Sequence, residues 1–256
     1  MKIAAWNVNS LKVRLPQLLE WLESSQPDVV CLQETKLEDP NFPQAEIEAA
    51  GYQAVFSGQK TYNGVALLAR SALSEVVVGN PHFPDPQKRL IAATAGGIRV
   101  ICAYIPNGQA VDSDKYAYKL DWLDALGVWL GEQLAAHPQL VLAGDFNIAP
   151  EDRDVHNPAA WAGQILCSAP ERAAFQRLLA LGLKDSFRLF DQPEKSFSWW
   201  DYRMLGFQKN QGLRIDHILL SEPLAARCAA AGIDREMRKR ERPSDHAPVT
   251  ATLDAQ

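Results

Sequence analysis

The chain has 256 residues, 47% hydrophobic and 22% charged, enough to bury a sizeable core. Its formal net charge of −5 excludes a protein that coats nucleic acid through overall basicity, so any phosphate-binding surface must be local. No apolar run is long enough to span a bilayer, and Met1 to Trp6 leads into polar Asn7 without the apolar stretch of a signal peptide.

Residues Lys2 to Val8 alternate as a strand that ends in Asn7-Val8-Asn9-Ser10. Leu11, Leu15, Leu18, Leu19 and Leu22 then recur at helical spacing, which accommodates Pro16 if it falls in the first turn. A second strand, Asp28 to Leu32, ends on Gln33-Glu34-Thr35-Lys36, and a short helix follows near Ala45 to Ala50. Strands are predicted near Tyr52–Ser57, Gly64–Ala69, Ser74–Val78, Leu90–Thr94 and Ile98–Tyr104, with Gly96-Gly97 as a hairpin turn. Residues Ser113 to His137 carry Tyr116, Leu120, Leu123, Leu130 and Leu134 on one stripe, the pattern of a long amphipathic helix.

The run Leu140-Val141-Leu142-Ala143 is a buried strand that Gly144 interrupts before Asp145-Phe146-Asn147. Alternation puts Asp145 and Asn147 on one side, with Phe146 opposite. A loop to Pro170 precedes a helix that buries Ala173, Phe175, Leu178 and Leu179 and ends at Gly182. Phe187 to Phe190, Lys195 to Trp199, Leu213 to Leu220 and Val249 to Leu253 complete the strands. This order predicts an α/β fold of stacked sheets flanked by helices in one domain, 1–256. Both halves contain an apolar strand ending in Asn, Glu or Asp, a hint of duplicated topology.

Four strand ends offer Asn7, Glu34, the Asp145/Asn147 pair and Asp216, and the loop Pro243 to Pro248 adds Asp245 and His246. Singly, each acid reads more readily as a cap or a surface charge than as a ligand. Together at one sheet edge they would repel one another unless a cation were present. Oxygen donors without a cysteine cluster favour Mg²⁺, or Mn²⁺ in its place, over zinc. A carboxylate at Asp216 beside His246 would fix the imidazole tautomer and favour its charged form. The four cysteines, Cys31, Cys102, Cys167 and Cys228, include no C-x-x-C pair and read as reduced thiols, as in the cytoplasm.

The set Trp6-Asn7-Val8-Asn9-Ser10, Leu32-Gln33-Glu34-Thr35-Lys36, Tyr104-Ile105-Pro106-Asn107-Gly108, Gly144-Asp145-Phe146-Asn147, Arg214-Ile215-Asp216-His217 and Ser244-Asp245-His246-Ala247-Pro248 resembles the exonuclease III family of abasic-site endonucleases. That family lies within the endonuclease/exonuclease/phosphatase superfamily. The resemblance covers essentially the whole chain, in order. It implies a four-layered α/β sandwich, two packed mixed β-sheets flanked by helices, and a Mg²⁺-dependent hydrolase of damaged double-stranded DNA. Internal abasic sites and blocked or recessed 3′ ends are the implied substrates, and a monomer the implied state.

The resemblance also assigns roles. Glu34 with Asn7 would hold the metal, and Asp245 would join them or stand behind them. Asp145 would orient or deprotonate the attacking water. Asn147 and His246 would hold the scissile phosphate, with Asp216 behind His246. Tyr104 would contact the phosphate or assist the leaving oxygen, and Asn107 would add a hydrogen bond. Trp199, Trp200, Arg203 and Ile215 resemble the segment that packs against a flipped, base-less sugar. Apart from the resemblance, Arg235, Arg238, Lys239, Arg240 and Arg242 form a basic run whose usual reading is a solvated helix face, and its closeness in sequence to the Ser244-Asp245-His246 loop points to contact with the DNA backbone. His156 stands where some relatives carry a small residue. Its bulk would crowd the duplex and favour 3′ ends with little internal abasic-site cleavage, the alternative to the leading expectation of a nuclease that acts at internal abasic sites, at 3′ ends or at both.

Overall fold

Lys2–Asn7 (β1) is buried on both faces except at its first residue, so it must lie inside a layered structure. The computed structural model describes residues 1–255 and places β1 at the centre of a six-stranded sheet. After α1 (Leu11–Ser25) the chain returns as β2 (Val29–Gln33), parallel to β1. A short α2 (Gln44–Ala49), β3 (Gln53–Ser57) and β4 (Val65–Ala69) follow, then β5 (Leu73–Val78), β6 (Leu90–Ala95) and β7 (Ile98–Tyr104). Between β6 and β7, Gly96 and Gly97 both take positive φ (56° and 79°), the two-residue turn whose twist suits a hairpin.

Next come α3 (Asp114–Ala136) and β8 (Leu140–Asp145), parallel to β7. The short α4 (Pro158–Trp161), α5 (Ala169–Ala180), β9 (Leu183–Asp185), β10 (Trp199–Trp200), β11 (Gly212–Leu213) and β12 (Asp216–Ser221) lead to α6 (Glu222–Ala225), β13 (Cys228–Ile233) and β14 (Val249–Leu253). One sheet runs β13-β14-β1-β2-β4-β3 and the other β5-β6-β7-β8-β12-β9, with β10-β11 as a separate ribbon. Each large sheet has a single parallel pair at its centre, β1–β2 or β7–β8, joined over a helix. The duplicated topology hinted at in sequence is therefore present.

Three apolar layers hold the sandwich. Ile3, Ala5, Cys31, Leu67, Val100, Val141, Ala143 and Ile218 fill the space between the sheets. Alternate residues of the same strands, such as Trp6 and Leu142, meet α1 and α2 on one outside and α3 and α5 on the other. Each buried aliphatic side chain contributes roughly 1.5–3 kcal/mol. This is the four-layered arrangement expected.

Several local expectations fail for identifiable reasons. Gly144 does not break its strand: β8 runs through it to Asp145 at φ 147°, and an added Cβ would lie 1.9 Å from the Ala103 carbonyl oxygen. The gap lets β7 approach. Pro16 lies in the second turn of α1, not the first, where it removes the hydrogen bond to the Lys12 carbonyl. Ser186–Leu189 is a 3₁₀ turn rather than a strand, because the Asp185 carboxylate accepts from the Phe187 N–H and turns the chain. Of the expected Lys195–Trp199 strand only Trp199 is extended in a sheet, as the first residue of β10 (Trp199–Trp200). The Leu213–Leu220 run divides at Arg214 and Ile215, where Ser198 Oγ takes the N–H groups of Ile215 and Asp216. Within the expected loop before Pro170, Asp152–Asp154 and Pro158–Trp161 form single helical turns. β9 and β13 had no strand signal; Cys-Ala-Ala-Ala-Gly-Ile lacks both alternation and a β-branched run.

Candidate active site

The inner face of each sheet carries every second residue, and the site begins where that face turns polar. Along β1 the inward series is Ile3, Ala5, Asn7; along β8 it is Val141, Ala143, Asp145. Tyr104 ends the series on β7, and Asp216 starts it on β12, directly opposite Asp145. The open end of the inter-sheet layer is thus lined by Asn7, Tyr104, Asp145 and Asp216.

Glu34 follows β2 with φ 53°, a left-handed conformation uncommon for a side chain of its kind. Asn7 Nδ2 donates to both Glu34 Oε1 and Asp145 Oδ2, each at 2.9 Å, so one amide bridges the two carboxylates. The Tyr104 hydroxyl donates to Glu34 Oε1 at 2.9 Å, and Lys36 Nζ stands 2.9 Å from Glu34 Oε2. Burial acts to raise the Glu34 pKa, but the Lys36 charge and the donors around it hold it below the usual range. Burial pushes the Tyr104 hydroxyl well up, with the Glu34 and Asp145 charges adding to it.

Asp145, Asp216 and His246 form a second, drier group. His246 Nδ1 donates to Asp216 Oδ2 at 2.8 Å, which fixes its tautomer, and His246 Nε2 lies 3.7 Å from Asp145 Oδ2. Burial alone would lower the His246 pKa; the Asp216 and Asp145 carboxylates outweigh it and raise it to about 10. Asp145 is shifted upward by its burial, and the Asp216 charge adds to this. A cationic imidazole therefore sits between two carboxylates. The Ser244 hydroxyl donates to the Asn7 carbonyl and accepts from the His246 N–H, fastening the last loop to β1.

Asn147 reaches the site by a route the alternation argument did not foresee. It lies past the end of β8 at φ 49°, and its N–H donates to Asp145 Oδ1 at 2.9 Å. Its side chain donates to the Ile105 carbonyl and accepts from Asn107 Nδ2. Asp145 and Asn147 are neighbours because the chain curls back, not because a strand continues.

Asp245 lies across the site. Its carboxylate accepts from Asn9 Nδ2 at 3.0 Å and from the Trp199 indole N–H at 2.9 Å. Asn9 in turn accepts from Lys36, so a polar chain runs from Glu34 through Lys36 and Asn9 to Asp245. Glu34 offers a carboxylate beside the Asn7 amide and the Tyr104 hydroxyl, with the Lys36 ammonium against its other oxygen; a carboxylate and an amide are the kind of donors that suit a hard divalent ion. Asp145, Asp216 and His246 are also close enough to share a metal, but a charged imidazole bound to Asp216 is a poor ligand.

The expected DNA-facing residues divide. Trp199, Arg203 and His156 line a cavity of about 550 Å³ with Trp161 and Met204. His156 donates from both its backbone N–H and its ring Nδ1 to the Gly212 carbonyl, at 3.1 and 3.2 Å, and meets the Trp161 ring edge-on. Arg203 is 84% exposed and clasps Asp201. Trp200, in contrast, is fully buried; it packs on Phe207 and cannot meet a sugar directly. Ile215 is buried in the apolar cluster behind Trp161 and Trp199. The basic run divides too: Arg235, Lys239, Arg240 and Arg242 are exposed, and Arg238 is not. Arg238 is buried, stacks on Tyr202 and Phe207, and donates to the Ser244 carbonyl at 2.7 Å. Arg235 stacks on Trp200 and Phe207. Sequence reasoning missed Asn9, Ser198, Ser244 and Lys119, which hold site residues or their backbone, and Glu171, which holds Lys119.

Two sheets meeting at an end lined by acids, amides and one imidazole define a phosphoester-hydrolase class, and the family follows. Residues 4–246 match the Endonuclease/Exonuclease/phosphatase family, and the chain belongs to it. Exodeoxyribonuclease III of Haemophilus influenzae is 40% identical, with 98% of this chain and 99% of that one covered. The structure of the 3′ phosphatase NExo from Neisseria bound to a product DNA hairpin is 50% identical, covers 100% of both chains and has a TM-score of 0.98. An AP endonuclease from Archaeoglobus fulgidus is 39% identical over 100% of both chains, with a TM-score of 0.96. The exonuclease III resemblance and the reading of the chain as a hydrolytic nuclease both stand.

Proposed function

We propose that the protein is a Mg²⁺-dependent DNA repair nuclease that works mainly on 3′ ends. It removes nucleotides, phosphate or blocking groups there and cleaves internal abasic sites poorly. The carrying observation is His156, doubly hydrogen-bonded to Gly212 and packed on Trp161, as a wall of the cavity beside Trp199. An imidazole so held narrows the space available to a continuous strand, while a strand that stops at its 3′ end need not pass it. The 50%-identical Neisseria 3′ phosphatase supports this reading, and the 39%-identical archaeal AP endonuclease keeps internal cleavage as the second.

In each reaction water attacks phosphorus, the bond from phosphorus to the 3′ oxygen breaks, and that oxygen takes up a proton from solvent to become a 3′-hydroxyl. Asp145, held by Asn7 and the Asn147 N–H, orients the water and takes its proton. His246, cationic and fixed by Asp216, donates to a phosphoryl oxygen, and Asn147 offers its remaining amide hydrogen to another. Tyr104 assists at the leaving side from its bond to Glu34. Glu34 and Asn7 would hold the metal, with Asp245 beyond Asn9. The metal, when bound, neutralises charge building on the phosphate. The four free cysteines support a reducing, cytoplasmic setting, and we read the enzyme as a one-domain monomer.

The test is a set of matched duplexes carrying an internal abasic site, a 3′-phosphate, a 3′-phosphoglycolate or a plain recessed 3′ end. Turnover of the 3′ substrates should exceed abasic cleavage at least about tenfold, and EDTA should stop all of it. Abasic cleavage equal to or faster than 3′ processing would reverse the reading.

A further inference from the structure

Lys119 lies on the buried face of α3, and its side chain and that of Glu171 are each 0% exposed. A buried ammonium must satisfy three donors. Lys119 Nζ donates to the Asn147 carbonyl at 2.6 Å, to the Asn107 carbonyl at 3.2 Å and to Glu171 Oε1 at 2.5 Å. Two of the three bonds therefore fall on backbone of residues that reach the site. Glu171 is saturated in turn: it accepts from the Leu166 N–H, the Ser168 N–H and the Ser168 hydroxyl. The pair is fixed from behind as well as in front.

Asn107 and Asn147 are also joined through their side chains, Asn107 Nδ2 donating to Asn147 Oδ1 at 3.1 Å. They leave different loops, one after β7 and one after β8. Asn147 keeps a left-handed backbone at φ 49°, a conformation that needs support from its surroundings. Asp145 holds the Asn147 N–H and the Ile105 carbonyl holds its side-chain amide, and Lys119 holds its carbonyl.

We propose that Lys119 is a positioning residue for hydrolysis, clamping the Asn107 and Asn147 backbones so that the Asn147 amide is aimed at the scissile phosphate. It touches no substrate and acts through Asn147. The inference rests on the role given to Asn147 under the proposed function. Without the clamp the Asn147 carbonyl loses its donor and the peptide after it can shift, and a displacement of about an ångström at a phosphate ligand costs about a hundredfold in rate.

The experiment is a double-mutant cycle of Lys119→Met and Asn147→Ala, read as kcat and KM on a 3′-phosphate duplex. Duplex binding is measured in EDTA by anisotropy. Lys119→Met should lower kcat about a hundredfold while KM and the duplex Kd change less than about threefold. In the Asn147→Ala background the same substitution should cost less than about threefold. Because Lys119→Met strands a buried carboxylate, the cycle is repeated with Lys119→Met/Glu171→Gln, whose melting temperature should return toward wild type while kcat does not. An equal cost in both backgrounds, or kcat restored along with the melting temperature, overturns the inference and leaves Lys119 structural. Asn147→Ala turning over at the wild-type rate overturns the role of Asn147 first, and the inference with it.

Discussion

The floor of the site and its rim are built by opposite rules. Asn7, Asp145, Asp216 and His246 are buried, sit at strand ends or on a loop pinned by Ser244, and have their partners already in place. Arg203, Met204 and Leu205 are exposed, in a segment where Met204 and Leu205 both carry positive φ. A floor that is fixed before substrate arrives should set the rate of the chemical step. A rim of exposed side chains should set which DNA reaches it. The comparison fails if floor substitutions change substrate preference, or if rim substitutions change the rate on every substrate alike.

The largest effect belongs to Asp145. Asp145→Asn keeps the size and most hydrogen bonds but cannot accept a proton, so kcat should fall by about a thousandfold or more on all substrates. Measured rates on the four duplexes should fall by one common factor. Next comes Asp216→Asn, expected to cost about a hundredfold. It also changes the pH profile. His246 is raised to about 10 by its carboxylate neighbours, so the wild-type rate should hold from neutrality toward that value. Removing the Asp216 anion lowers the imidazole pKa, and an alkaline loss of activity should appear closer to neutral pH in the variant. An unchanged alkaline limb would mean that His246 does not act as a cation. The same raised pKa stabilises the fold fully below about pH 6.5, and that contribution is lost as pH rises to about 10.

Most of the floor could be read from the sequence, because its residues stand at places where an apolar run stops. Asn7 and Asp145 close inward-facing series whose period is two, and that period is visible in the letters. Asn147 was found for an incomplete reason, since its left-handed backbone depends on contacts made far along the chain. The supports were hard to see. Lys119 had a signal in principle: it falls between Tyr116 and Leu123 on the buried stripe of α3, where a lysine needs a partner. That partner, Glu171, reads locally as a capping-box acid of α5. Arg238 looked like part of a solvated basic run, because aromatic stacking between distant segments leaves no local pattern.

Arg238 joins the two regions, and its removal should register as stability more than rate. Its guanidinium bonds the Ser244 and Trp200 carbonyls and stacks on Tyr202, Phe207 and Trp200, so it ties the catalytic loop to the segment that carries the rim. Arg238→Met keeps much of the apolar contact and loses the charged donors, a cost of about 1–3 kcal/mol. Urea unfolding should record that loss, with kcat reduced less than about tenfold. A larger drop in kcat than in stability would move Arg238 from the frame of the loop into the setting of His246.

The smallest change in rate, and the sharpest test of the rim, is His156→Gly. Among the described residues the imidazole hydrogen-bonds the Gly212 carbonyl and meets the Trp161 edge, so its loss leaves the floor untouched. Its removal widens the cavity it shares with Trp161 and Trp199, on the side that the proposed function gives to a continuing strand. Rates on the 3′-phosphate and recessed 3′ end should therefore fall no more than about threefold, while cleavage at the internal abasic site rises about tenfold. Glycine also frees the local backbone, which by itself would lower every rate together. His156→Ala controls for this, since it removes the ring without that freedom and should move the ratio in the same direction. If neither variant changes the ratio of abasic to 3′-end cleavage, the ring does not select the substrate, and the preference must be set by Arg203, Met204 or Trp161 instead.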